Sequence, residues 1–62
     1  MNVFEATLLC EGIDTPVSEE QLREAWQVLI DTETAWHLQG WFGRTANSLI
    51  ERGVCTPPGS EA

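Results

Sequence analysis

"SEEQLREAWQVLID", residues 18–31, is the stretch that decides the fold. Ser18 followed three residues later by Gln21 is a capping box, in which side-chain oxygens satisfy N–H groups that a helix start leaves free. Glu19 and Glu20 place negative charge at the positive end of the helix dipole. Beyond them Leu22, Ala25, Trp26 and Leu29 recur at helical spacing with Ile30 alongside, so one face is apolar and built for burial. Trp26 lies on that inner stripe and is expected in the core. A helix of this length cannot bury its stripe alone, so the flanking segments must cover it.

Upstream, Asn2 is a good N-cap, Glu5 stands where a capping box would put it, and Gly12 is a fitting stop. A first helix is therefore predicted over 2–11, with Phe4 and Leu8 on one face and Leu9 beside them. The linker "IDTPVS", residues 13–18, contains Pro16, which turns Thr15 away from helical geometry. Downstream, Leu38, Phe42, Thr45, Leu49 and Gly53 keep helical spacing, flanked by Trp41, Ala46 and Ile50. Arg52 suits a last turn, Gly53 a C-terminal stop and Val54 the apolar contact that follows one. The tail "CTPPGSEA" has no apolar pattern. These readings give an all-α fold, a small three-helix bundle over about 2–11, 18–31 and 34–52. Residues 1–54 form the single domain and 55–62 a frayed, flexible tail.

Sixty-two residues leave room for one small core and little for an enclosed active site, so catalysis starts at a disadvantage. Ten acidic residues against three arginines and no lysine give a formal charge of −7. Phosphate backbones and anionic lipid surfaces repel such a chain, which argues against direct nucleic-acid or membrane binding. A basic protein would be attracted. The acids cluster: Glu11, Asp14, Glu19, Glu20 and Glu24 lie close together in sequence, followed by Asp31 and Glu33. The N-terminus lacks a basic region, its apolar run is broken by Glu5 and Thr7, and no stretch has the length of a membrane span. The expected location is cytoplasmic, where Cys10 and Cys55 are thiols. An up-down-up layout brings those two cysteines to one end, which makes a bridge geometrically feasible. Two cysteines and one histidine without metal-binding spacing predict no metal site, and no cofactor is expected.

Gly40 and Gly43, three apart in "LQGWFGRTA" (38–46), raise a separate question, because glycine costs about 1 kcal/mol against alanine inside a helix. On a helical wheel Gly40 projects opposite the apolar stripe, among His37, Arg44 and Asn47, with Gly43 nearby and Trp36 and Trp41 at the margins. Three explanations compete: a helix broken near Gly40, a close approach within the bundle or across a homodimer seam, and a binding face for a partner or a small anion. Arg44 either pairs locally with Glu51 or Glu33, stacks on Trp41, or clamps a carboxylate or phosphate. His37 and Ser48 lack the partners that acid–base or nucleophilic catalysis requires, and no catalytic residue is assigned.

The run "WHLQGWFGRTANSLIERGVC", residues 36–55, resembles a segment of small uncharacterised proteins of tailed bacteriophages. In these a Leu-Gln-Gly, an aromatic, Gly-Arg-Thr-Ala and a Leu-Ile-x-x-Gly ending recur in that order, and "AWQVLIDT", residues 25–32, fits the same pattern. The resemblance carries no chemistry. It implies expression in the cytoplasm of an infected bacterium and makes Gly40, Gly43 and Arg44 signature positions. Together these readings lead to a non-enzymatic accessory or anti-defence protein. It would bind and inhibit a host protein, such as a nucleic-acid-binding one whose phosphate contacts its carboxylates would imitate, and would act as a homo-oligomer. The alternative is sequestration of a nucleotide on the face of Trp36, Gly40 and Arg44.

Overall fold

A computed structural model describes residues 1–59. Its elements follow in the order α1 (Val3–Glu11), α2 (Glu19–Asp31), a single 3-10 turn (Thr34–Trp36) and α3 (Gly40–Glu51). The fold is an all-α three-helix bundle, with no strand among the described residues. α1 packs on α2, and the 3-10 turn touches both α2 and α3.

Local chemistry sets the helix ends. The Asn2 side-chain oxygen accepts from the Glu5 N–H at 2.8 Å, and the Asn2 amide donates back to the Glu5 carboxylate at 3.2 Å. Ser18 Oγ accepts from the Gln21 N–H at 3.1 Å, while Gln21 Oε1 accepts from the N–H of Val17 at 2.8 Å. Gly12 and Gly53 take φ of 81° and 75°, the left-handed region in which a Cβ is penalised. Each is followed by the backbone bond of a Schellman stop, Ile13 to Leu8 at 3.0 Å and Val54 to Leu49 at 2.9 Å.

The core joins Ala6 and Leu9 of α1, Ala25, Trp26, Leu29 and Ile30 of α2, Ala35 of the turn, Phe42 and Ala46 of α3, and Cys55. Four of the ten are alanines with no exposed surface, and so short a side chain lets backbones approach closely. The larger space is filled by aromatics: Phe42 stacks on Trp41 with centroids 3.9 Å apart and meets Trp26 at 6.0 Å. Trp26 also meets Trp41 edge-on, at 6.3 Å.

The structure corrects three details of the sequence reading. First, the third helix does not run from 34. Glu33 adopts φ 60° and reverses the chain after α2, the 3-10 turn follows, and α3 starts only at Gly40. Leu38 packs on the core from the connecting segment, so its four-residue spacing to Phe42 imitates a helix that is not there. Second, α1 presents Val3, Ala6, Leu9 and Cys10 to the core, and Phe4 faces outward, 71 % exposed. Third, the domain does not end at 54. Cys55 is buried, and Thr56 exchanges two hydrogen bonds with Gln27, N–H to Oε1 at 2.9 Å and Nε2 to carbonyl at 3.0 Å. The flexible tail expected over 55–62 therefore begins no earlier than the residue after Thr56; residues 60–62 lie outside the described part.

Candidate functional site

Because α3 starts at Gly40, the 3-10 turn lies beside its first turns and an open groove of about 260 Å³ runs between them. Its walls are Ala35, Trp36, Leu38, Gln39, Gly40, Gly43, Arg44 and Asn47. Five residues singled out from the sequence thus meet here: Trp36, Gly40, Gly43, Arg44 and Asn47. His37 is exposed and takes no part in the groove, and Trp41 is turned away onto Phe42 with its indole N–H donating to Gln39 Oε1 at 3.1 Å. Ala35, Leu38 and Gln39 were not expected. Nothing in their residue types singles them out; only the break before Gly40 places them there.

The two glycines have different reasons. A Cβ on Gly43 would lie 3.0 Å from Trp36 Cδ1, so the missing side chain is the space in which the indole sits. That indole is held by its N–H, which donates to Asn47 Oδ1 at 3.2 Å. The close approach is made within the chain. A Cβ on Gly40 would meet the end of the Arg44 side chain at 3.1 Å, and a flexible guanidinium can swing aside.

Gly43→Ala should accordingly displace the Trp36 indole and break its bond to Asn47. The helix gains about 1 kcal/mol in propensity and loses a hydrogen bond of about 0.5–1.5 kcal/mol with its packing, so stability should change by less than about 1 kcal/mol. The clear readout is NMR. Three tryptophans give three indole N–H resonances, and the Trp36 one should move while Gly40→Ala leaves it in place. An unmoved Trp36 resonance in Gly43→Ala would contradict the contact.

Among the described residues Arg44 forms no ion pair, and the one ion pair is Arg23 with Glu20, at 3.7 Å. Its expected local partners, Glu51 and Glu33, do not reach it, and the groove therefore holds a guanidinium free to meet an outside carboxylate or phosphate. The acids gather elsewhere. Glu11 and Asp14 flank the turn between α1 and α2, Glu19 opens α2, and Glu20, Glu24 and Asp31 follow one another along its outward face, all exposed. Among the described residues no charged side chain is buried, no three potential ligands gather around a metal position, and no helix is long and apolar enough to cross a membrane.

Cys10 and Cys55 are both free thiols. Burial, with the neighbouring Cys55 and Glu11 adding negative charge, pushes the Cys10 thiol from 9.0 up to about 12. Burial also raises Cys55, opposed by Arg23 and assisted by Asp31, and its Sγ lies 3.9 Å from the Arg23 carbonyl. A raised thiol favours the folded state only while the thiol stays protonated. The contribution is complete below the unfolded value of 9.0 and is lost as pH rises toward about 12. The urea midpoint should therefore fall over that range in the native chain and fall less in Cys10→Ala. Equal slopes would contradict the assignment.

Comparison with known proteins adds one family. The profile described as "Domain of unknown function (DUF7417)" matches residues 14–61, and the chain belongs to that family. The match takes in the linker, α2, the 3-10 turn and α3, and it starts after α1. No curated protein and no solved structure matches the chain.

Proposed function

We propose that this family member is a non-enzymatic acidic binding protein that occupies a basic surface of another protein. The observation that carries the reading is the exposure of Glu11, Asp14, Glu19 and Glu20 around the turn that joins α1 to α2, continued by Glu24 in the middle of α2, with a single arginine among the described residues pairing one of them. So much unpaired like charge is costly to assemble in a small domain and steers a cationic partner at long range. In the setting that the phage-like signature implies, that partner is a host protein in the bacterial cytoplasm. The carboxylates would occupy its nucleic-acid site, an anti-defence or host-takeover role. A homo-oligomer remains part of this proposal, with the space beside Gly43 already filled by Trp36 of the same chain.

Salt tests the reading. Immobilised protein should retain basic proteins from a bacterial lysate at about 0.1 M salt and release them near about 1 M, as the screening length shrinks from about 10 Å to about 3 Å. Retention indifferent to salt would overturn it.

The groove supports a second reading, capture of a nucleotide with Arg44 on phosphate and Trp36 against the base. The net charge of −7 opposes it. On this reading calorimetry with a nucleotide panel gives heat for the native chain and none for Arg44→Ala; no heat from either excludes it.

A further inference from the structure

α1 is apolar on both sides, yet only one side is used. Val3, Ala6, Leu9 and Cys10 face the core. On the opposite side Phe4 and Leu8 stand one turn apart; Phe4 is exposed, and Leu8 is half-buried without being among the side chains packed against the core. The Schellman bond from the Ile13 N–H to the Leu8 carbonyl, 3.0 Å, carries the stripe past the helix end. Phe4 is 71 % exposed, Ile13 65 % and Val17 86 %. Val17 occupies the position from which an apolar residue normally staples a helix start by packing on Leu22, but it is left in solvent.

The charge around this stripe is of one sign. Glu5, Glu11, Asp14, Glu19 and Glu20 surround it, and no lysine or arginine side chain precedes Arg23. Glu11 lies two turns along from Phe4, on the stripe itself. Pairing two copies across a two-fold axis would bring these carboxylates together, which repels. A helix with leucines on one face and lysines on its flanks meets both features at once.

We propose that the stripe of Phe4, Leu8 and Ile13, with Val17 at its end, is the docking surface for a basic amphipathic helix of a partner protein. This inference rests on the acidic-surface reading above and adds the apolar anchors that such a surface needs for affinity. Charge steers the approach, and the buried aromatic and aliphatic side chains set the residence time.

The test uses the intact chain and two synthetic peptides of about 18 residues, a length that gives several helical turns. One places leucine on one helical face and lysine elsewhere; the other replaces every leucine by serine at equal charge. The native chain should bind the lysine–leucine peptide at least about tenfold more tightly. Phe4→Gln with Ile13→Gln should bring the two affinities together at the weaker value. Both positions are exposed, so the double variant should keep its helix content by circular dichroism. Equal affinities in the native chain, or no change in the double variant, would overturn the docking surface and leave the acidic reading standing. Binding of neither peptide would overturn the acidic reading and this inference with it. A native dimer in sedimentation that Phe4→Gln dissociates would show a second copy on the stripe and overturn the proposed occupant.

Discussion

Phe42→Ala is expected to unfold most of the protein at room temperature. Phe42 is 1 % exposed, stacks on Trp41 and packs against Trp26, so it couples α3 to α2 through the largest side chains in the core. Truncating a buried phenylalanine costs about 3–5 kcal/mol. A core of this size supplies about 3–5 kcal/mol in total, so the loss is comparable with everything that holds the chain folded. The alanines around the site leave little that can move in to fill the cavity. Phe42→Leu keeps most of the volume and should cost far less, remaining folded with a lower melting temperature. Thermal melts followed by circular dichroism separate the cases. A cooperative transition in Phe42→Ala within about 5 °C of the native melting temperature, equivalent to about 1 kcal/mol, would show that the core is organised around other contacts.

The second large effect is on binding. Replacing Glu11, Asp14 and Glu24 by lysine changes the charge by two at each position and takes the chain from −7 to −1. Affinity for a cationic partner should fall by about a hundredfold or more at low salt, since each attractive contact becomes a repulsive one. Folding should survive. Glu11 lies in the last turn of α1, where a cation is favoured by the helix dipole by about 0.3–1 kcal/mol. Asp14 is in the linker and Glu24 in the middle of α2, both exposed. Reversal at Glu19 and Glu20 would be a poorer test, because those carboxylates also stabilise the N-terminus of α2. An unchanged affinity in the folded triple variant would exclude the acidic surface as the binding face.

The helix starts and stops were legible because their causes are local. Asn2 with Glu5, Ser18 with Gln21, and the glycines at 12 and 53 act within a few residues, and each cap forms where its side chains predict. The start of α3 was not legible. Leu38 keeps helical spacing to Phe42 for a tertiary reason, and nothing local marks Glu33 for the left-handed turn that offsets the two segments. The inner face of α1 was ambiguous for another reason: with Phe4 and Leu8 on one side and Ala6 and Leu9 on the other, periodicity has no preferred direction. The bond between Gln27 and Thr56 joins residues far apart in the chain and leaves no trace in composition.

Much the same division holds at the candidate site. Arg44 and Asn47 share a helix face with Gly40, so the wheel grouped them. Trp36 reaches that face from the 3-10 turn, and only the fold explains why Gly43 must lack a side chain beneath it. The acids needed no fold to be recognised. Their outward placement along Glu20, Glu24 and Asp31 follows from the apolar stripe on the other side of α2.

The central claim, a basic protein held by the acidic surface, is tested most directly by native mass spectrometry. The tagged native chain and the Glu11, Asp14, Glu24 to lysine variant would be purified side by side from a bacterial lysate at low salt. The account predicts a basic protein in complex with the native chain and absent from the variant. A bare chain in both spectra, or the same companion in both, would contradict it.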